Sequence, residues 1–418
     1  MYKIQDLHAR EVIDSRWNPT VEVDLTLDNW VVWTAICPSW ASTWVHEALE
    51  LRDQDKTRFL GKWVLKAVEN VNSKIKNNLV RLQFEWLNDF DQYLIDLDWT
   101  KNKSNFWANA ILPISMAFVD ACSKSENKEI FEYLGKWKWV TLPIPMMNIV
   151  NWWSHADNNV DIQEFMIVPV WAKNIKEAVR IWAEVFHNLK IILKEKWLAT
   201  SVWDEWGYAP NLWSNREALD LIIKAINKAG YNTRKIKLAL DCAASEFYSE
   251  WKYNLEWEWK ILDSKELVEY YKTLVKKYPI ISIEDPLAED DFEGWKLFEE
   301  TLWKKIMNVW DDLYVTNIER LKIWIEQNLA NSILIKLNQI WTVSETISAI
   351  DLATKNEMIS IVSHRSWETE DTFIADLSVA KNTGFIKTGS LSRSDRIAKY
   401  NRLIRIEEKL WKNARFGI

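Results

Sequence analysis

Glycine is nearly missing from this chain. Eight glycines stand among 418 residues, where roughly 7% is ordinary, and glycine is the residue that takes positive φ without penalty in tight turns. Cysteine is scarce too. Cys37, Cys122 and Cys242 are odd in number, far apart and without Cys-x-x-Cys spacing, which argues against a disulfide framework or a zinc site and for a reducing compartment. The opening Met1-Tyr2-Lys3-Ile4-Gln5-Asp6 has no apolar signal core, and no uncharged apolar run reaches the roughly 18 residues of a membrane span. A soluble, cytoplasmic protein is expected. Nor is there a basic block: 53 basic and 60 acidic residues are spread along the chain for a net charge of -7, against a nucleic-acid groove. Any anionic ligand must be held by local charge.

What the chain has in excess is tryptophan, 29 residues of it. Many stand where a backbone wants glycine, as in Asp28-Asn29-Trp30, Asn151-Trp152-Trp153-Ser154 and Ser39-Trp40-Ala41-Ser42-Thr43-Trp44, which are turn and loop compositions. Reading every tryptophan except Trp295 as glycine returns a glycine content near the usual ~7%. That pattern results when UGA codons, glycine in the cell of origin, are rendered as tryptophan. Trp295, beside Gly294 in a helical stretch, reads as a true tryptophan.

Residues 19 to 28 alternate Val21, Val23, Leu25 and Leu27 with Glu22, Asp24, Thr26 and Asp28, the period-2 pattern of a half-buried strand, and a hairpin follows through Asn29-Trp30. Helical spacing is expected from His46 to about Leu79, through Val64, Val68, Val71, Ile75 and Leu79, and again from Asn109 to Ser123. Residues 1–130 are therefore expected to form a small α+β domain, strands before helices, and residues 131–418 a second domain. In the latter, short apolar runs end in a polar or charged residue: Lys237 to Asp241, Ile280 to Glu284, Ile306 to Asp311, Ile333 to Lys336, Ile359 to His364 and Phe385 to Lys387. After a first interval of 43 residues the ends lie 23 to 28 residues apart, which is βα-unit spacing. Unbroken apolar runs suit parallel strands buried on both faces. The fold class expected is α/β, a C-terminal (β/α)8-type barrel with a smaller N-terminal α+β domain. An open doubly wound sheet is the alternative, but no glycine-rich turn of the dinucleotide type opens the first unit.

Asp241, Glu284 and Asp311 end three of these runs, so adjacent barrel strands would aim all three at one point. Hard oxygen donors without His or Cys favour Mg²⁺ over zinc. Lys336 ends the next run, where burial near metal cations would lower its pKa and suit it to act as a base. His364, Arg365, Ser366 and Lys387 add cationic and hydroxyl groups, implying an anionic substrate. Glu164 and Glu205 lie earlier in the domain; two carboxyls at one site would let one stay protonated as a general acid.

The strings Asp14-Ser15-Arg16-Trp17-Asn18-Pro19-Thr20, Ser39-Trp40-Ala41-Ser42-Thr43-Trp44, Pro145-Met146-Met147-Asn148, Asp204-Glu205-Trp206-Gly207-Tyr208-Ala209-Pro210, Ser363-His364-Arg365-Ser366-Trp367-Glu368-Thr369-Glu370-Asp371 and Lys387-Thr388-Gly389 resemble those of enolase, the glycolytic 2-phosphoglycerate dehydratase. The resemblance spans the chain and departs from the family where tryptophan replaces glycine. It implies a Mg²⁺-dependent lyase with two Mg²⁺ ions per site, Asp241, Glu284 and Asp311 holding the first and Ser39, in a mobile lid loop, the second. It implies Lys336 as the base at C2 of the substrate, Glu205 as the acid at its 3-hydroxyl and Glu164 beside it. His155, His364 and Lys387 would contact substrate, with Arg365 and Ser366 on its phosphate. It further implies a homodimer or an octamer, and a secondary cell-surface or secreted pool for some family members. Two other functions fit the residues: another Mg²⁺-dependent acid dehydratase or racemase on the same scaffold, and, with literal tryptophans crowding the pocket, a non-catalytic interaction protein of this fold.

Overall fold

The alternation read over residues 19 to 28 survives folding. In the computed structural model, which describes all residues except 40–48, 101, 137–139, 152–159, 203–206, 303–304, 312–315, 328 and 418, strands β1 (Tyr2–Ile13), β2 (Pro19–Leu27) and β3 (Val32–Ile36) pair antiparallel, with the short β4 (Gln83–Phe84) on the far edge of β1. Val21, Val23, Leu25 and Leu27 all point into the core, where they meet helix α1 (Ala108–Ser125). Among the described residues, the helix expected from His46 has not begun at Leu49. Residues 49–64 are largely irregular, and the helical segment begins at Leu65 and runs to Leu79 with one π turn. The polar run from Arg52 to Arg58 offers no apolar face to bury, so the period seen at Val64, Val71, Ile75 and Leu79 starts only where there is a core to pack on. Residues His46 to Ala48 lie outside the described residues.

The second half closes an eight-stranded barrel in chain order: β5 (Ile144–Asn151), β6 (Glu164–Val168), β7 (Lys237–Asp241), β8 (Ile280–Glu284), β9 (Met307–Trp310), β10 (Ser332–Ile335), β11 (Ile359–Ser363) and β12 (Phe385–Lys387), which returns to β5. The six apolar runs read from the sequence are β7 to β12, within a residue at each end. The barrel is not uniformly parallel, however: β6 runs antiparallel to both β5 and β7. Helices α2 (Ile175–Glu195) and α3 (Asn215–Lys228) follow β6, and α4 (Ser264–Lys277), α5 (Phe292–Leu302), α6 (Ile318–Gln327), α7 (Val343–Lys355), α8 (Phe373–Ala380) and α9 (Ser394–Leu410) follow β7 to β12 in turn. Asn174, Ser214, Asp263 and Thr342 each accept a hydrogen bond from the backbone N–H three residues on, capping α2, α3, α4 and α7 where the first turn has no partner of its own. The barrel lumen is filled by Ile144, Met146, Met166, Val168, Ala239, Met307, Val309, Leu334, Ile361 and Phe385, so it is a packed core with no pore and leaves only its rim for chemistry. No described helix is long and apolar enough to cross a membrane.

Among the described residues, nine tryptophans, at positions 17, 30, 99, 107, 197, 251, 259, 341 and 411, hold positive φ, a region that disfavours side chains by roughly 1 to 2 kcal/mol. Trp99 closes a helix in the left-handed conformation and Trp30 turns the β2–β3 hairpin, the roles in which glycine is usual. Trp295 differs: it is buried in α5 and its indole N–H donates to the Ala288 carbonyl at 2.9 Å.

Arg402 of α9 fastens the barrel to the segment before it. Its Nε donates to Asp376 at 2.7 Å and its Nη2 to Glu129 at 2.9 Å. Asp376 is buried, so Arg402→Met should cost about 3 to 5 kcal/mol by leaving that carboxylate uncompensated. Burial raises the pKa of Glu129, but Arg402 and Lys409 outweigh it and hold the group down at about 2. A depressed carboxylate stabilises the fold above its unfolded pKa of roughly 4.3 and loses that contribution as pH falls through the folded value. The part of the Arg402→Met penalty that runs through Glu129 should therefore shrink from pH 4 towards pH 2. Urea unfolding at several pH values checks both; an equal midpoint for the two proteins at pH 7 would refute the first.

Candidate active site

The strand ends bring together side chains that the sequence keeps more than a hundred residues apart. Asp241 and Glu284 are register partners on β7 and β8, and Asp311 follows directly on β9. The antiparallel direction of β6 matters here: Glu164 is its first residue and pairs with Asp241. Four carboxylates thus stand on one rim, Glu164 by reversal of its strand, Asp241 and Glu284 as C-terminal strand residues and Asp311 as the residue after its strand. Lys387, the last residue of β12, reaches across this rim. Its Nζ lies 2.7 Å from Asp241, 2.9 Å from Glu284 and 3.5 Å from Glu164, and it is itself buried. Lys336, following β10, pairs with Asp311.

Asp285 belongs to the same site and was not picked out in the sequence. It is buried at φ 41°, and its Oδ1 accepts the Asp311 backbone N–H at 3.1 Å. Ligand atoms of Glu284, Asp285 and Asp311 lie within 4.8 Å of one another. Its only sequence signal is adjacency to Glu284. Gln339 and Thr316 support the far side: Gln339 donates to Asp311 Oδ1 at 3.1 Å and accepts from Thr316, whose hydroxyl oxygen also accepts the Lys336 backbone N–H. Such contacts hold a ligand carboxylate in orientation.

Electrostatics follow from this crowding. Burial, then the neighbouring Asp241, push Glu284 far above the usual carboxylate range, and burial with Asp311 does the same to Asp285. Burial also opposes ionisation of Asp311, but the Lys336 ammonium outweighs it and the group is held low. Lys336 is governed by the same carboxylates where no metal cation stands among them. Burial lowers its pKa, yet Asp311 and Glu284 more than offset this and the net shift is upward, because the carboxylates here are balanced by lysines. Acids that resist ionising together are what a divalent cation would relieve. The all-oxygen donor set fits Mg²⁺.

His364, Arg365 and Ser366 follow β11. The His364 N–H donates to the Lys387 carbonyl at 2.9 Å, and the Arg365 N–H to Glu368 at 2.9 Å. Arg365 is buried and close enough to act electrostatically on Asp311, Lys336 and Glu50. Ser39 is held by Glu50 and Arg52. Its hydroxyl lies 2.7 Å from Glu50 and accepts from Arg52 at 2.6 Å, while its backbone pairs with Trp367. This couples the end of the N-terminal unit to the loop that carries Arg365. His155, Glu205 and the rest of the lid string, 40–44, lie outside the described residues.

Residues 4–134 match the family described as Enolase, N-terminal domain, and residues 139–417 match Enolase, C-terminal TIM barrel domain. The chain belongs to the enolase family. It has the enolase barrel, and its two domains are those of an enolase-superfamily lyase.

Proposed function

We propose that the chain catalyses reversible dehydration of 2-phospho-D-glycerate to phosphoenolpyruvate. The observation that carries this reading is the meeting, on one barrel rim, of Lys336 with Asp311 and of Lys387 with Asp241 and Glu284, with Arg365 close by. Asp241, Glu284 and Asp311 would hold one Mg²⁺, and a second would require a lid hydroxyl; Ser39 would reach it only on leaving Glu50. When bound, the two ions stabilise the negative charge that gathers on the substrate carboxylate as the C2 proton leaves.

The chain's own groups divide the remaining work. Lys336 Nζ takes the C2 proton, breaking the C–H bond. The electron pair forms the C2–C3 double bond as the C3–O bond breaks, and Glu205 gives its proton to the departing hydroxyl, which leaves as water. Glu164 would assist that acid. His155, His364 and Lys387 orient the acid substrate, and Arg365 with Ser366 binds its phosphate, a planar guanidinium being suited to two phosphate oxygens. As in the family, a homodimer or an octamer in the cytoplasm would be the working form.

Turnover of 2-phosphoglycerate beside its unphosphorylated analogues separates this from another acid dehydratase or racemase. Equal turnover of an unphosphorylated acid would overturn the assignment. Arg365→Gln should raise KM for the phosphorylated acid by about 10- to 100-fold, the worth of one or two charged hydrogen bonds, with a smaller change in kcat.

A further inference from the structure

We infer that Arg396 is a positioning residue for the substrate-binding loop. It fixes His364 in the tautomer that carries its proton on Nε2 and thereby turns an N–H donor towards an anionic substrate. The inference rests on the reading of residues 364 to 366 as substrate contacts.

Arg396 stands in the first turn of α9 and is fully buried, a place where a guanidinium requires partners. Its Nη1 donates to the Arg365 carbonyl at 2.7 Å and its Nη2 to the Ser366 carbonyl at 2.9 Å, and Nη1 also meets His364 Nδ1. One side chain thus touches three successive residues of the loop. Arginine carries five donors, no acceptor and a permanent charge. The imidazole nitrogen it meets must therefore accept, and a neutral imidazole then has its proton on the other nitrogen. The opposite tautomer would present a lone pair where an anion binds.

The surroundings hold this arrangement. Gly389 lies at φ 73°, and a Cβ there would come within 3.1 Å of His364 Cε1 and 3.2 Å of Arg396 Cδ, so this glycine leaves room for the pair. The Gly389 carbonyl accepts from Tyr400 at 2.6 Å, one turn beyond Arg396 on the same helix. Asp395 lies 3.0 Å from the Arg396 Nε. Lys399 donates to the Thr369 carbonyl at 2.6 Å and pairs with Glu368 at 2.8 Å, the carboxylate that accepts the Arg365 N–H. Helix α9 therefore grips the loop at both ends, Arg396 at residues 364 to 366 and Lys399 at 368 and 369.

The tautomer is read directly from long-range ¹H–¹⁵N spectra of the ¹⁵N-histidine-labelled full chain at neutral pH. Among five histidines, His364 is identified by the signal lost in His364→Gln. The wild type should show Nδ1 unprotonated and Nε2 protonated. In Arg396→Met the tautomers should mix, and KM for 2-phosphoglycerate should rise about tenfold or more while kcat changes less. Arg396→Lys keeps one cation but cannot span the contacts, and should fall between. A proton on Nδ1 in the wild type overturns the inference, as does a folded Arg396→Met with unchanged tautomer and KM. If Arg396→Met does not fold, the wild-type spectrum and Arg396→Lys decide. An unprotonated Nδ1 in a wild type that does not turn over 2-phosphoglycerate would remove the functional reading and leave the positioning role standing.

Discussion

Lys336→Ala is expected to lose at least about 10³-fold in turnover of 2-phosphoglycerate, within the range that a positioned general base contributes. The same variant should still bind Mg²⁺, and bind it at least as tightly as the parent. The Lys336 ammonium pairs with Asp311, so it competes with a cation for that carboxylate, and removing it leaves Asp311, Glu284 and Asp241 in place. Calorimetric titration with Mg²⁺ beside steady-state kinetics distinguishes a lost base from a lost metal site. Turnover within tenfold of the parent would remove Lys336 from the base role. Failure to bind Mg²⁺ would show instead that the lysine holds the carboxylates in position.

Glycine in place of seven exposed tryptophans, at 17, 30, 99, 197, 251, 259 and 411, is expected to stabilise the chain by roughly 3 to 7 kcal/mol in total. Each holds positive φ and each is largely solvent-exposed, Trp197 at 96%, so little packing is lost on removal. Relief of the left-handed strain, about 1 to 2 kcal/mol per position, exceeds the greater backbone entropy that glycine forfeits, roughly 0.5 to 1 kcal/mol. Against a usual net stability of about 5 to 15 kcal/mol, the change is large. A urea midpoint that falls in the glycine-bearing chain would contradict the strain argument. Trp341 is left out because it is buried and its indole N–H donates to the Gln339 carbonyl. Tandem mass spectrometry of the natively expressed protein across Val202 to Pro210 tests the codon reading itself: tryptophan at 203 and 206 would end it.

Local pattern made much of this architecture legible. Apolar runs ending at Asp241, Glu284, Asp311, Lys336, His364 and Lys387 read as strands because strands buried on both faces need continuous apolar sequence, and their ends read as site residues because only the barrel rim is open to solvent. The alternation in β2 likewise identified its buried face. Long, specific strings such as Ser363 to Asp371 carried the family. Strand direction was not legible. Period and composition are the same for a strand run either way, so the reversal of β6 that sets Glu164 beside Asp241 emerges only when the barrel closes. The early end assigned to the helix before Leu79 failed for a related reason: spacing at Val64 and beyond says nothing about where packing partners stop.

Residue types and their order along the chain therefore determined the α/β class, the strand ends, the acid-and-lysine composition of the site and the kinship with enolases. Tertiary structure alone decided which charges meet. Lys387 and Asp241 are 146 residues apart, Lys387 and Glu284 103, and Arg396 reaches His364 from a different element. Asp285 entered the site through its bond to the Asp311 backbone, and Ser39 went to Glu50 and Arg52. The physical reason is that a buried charge must find a partner wherever the fold brings one within reach, and that reach is a property of barrel closure and helix docking, to which no local window of sequence has access.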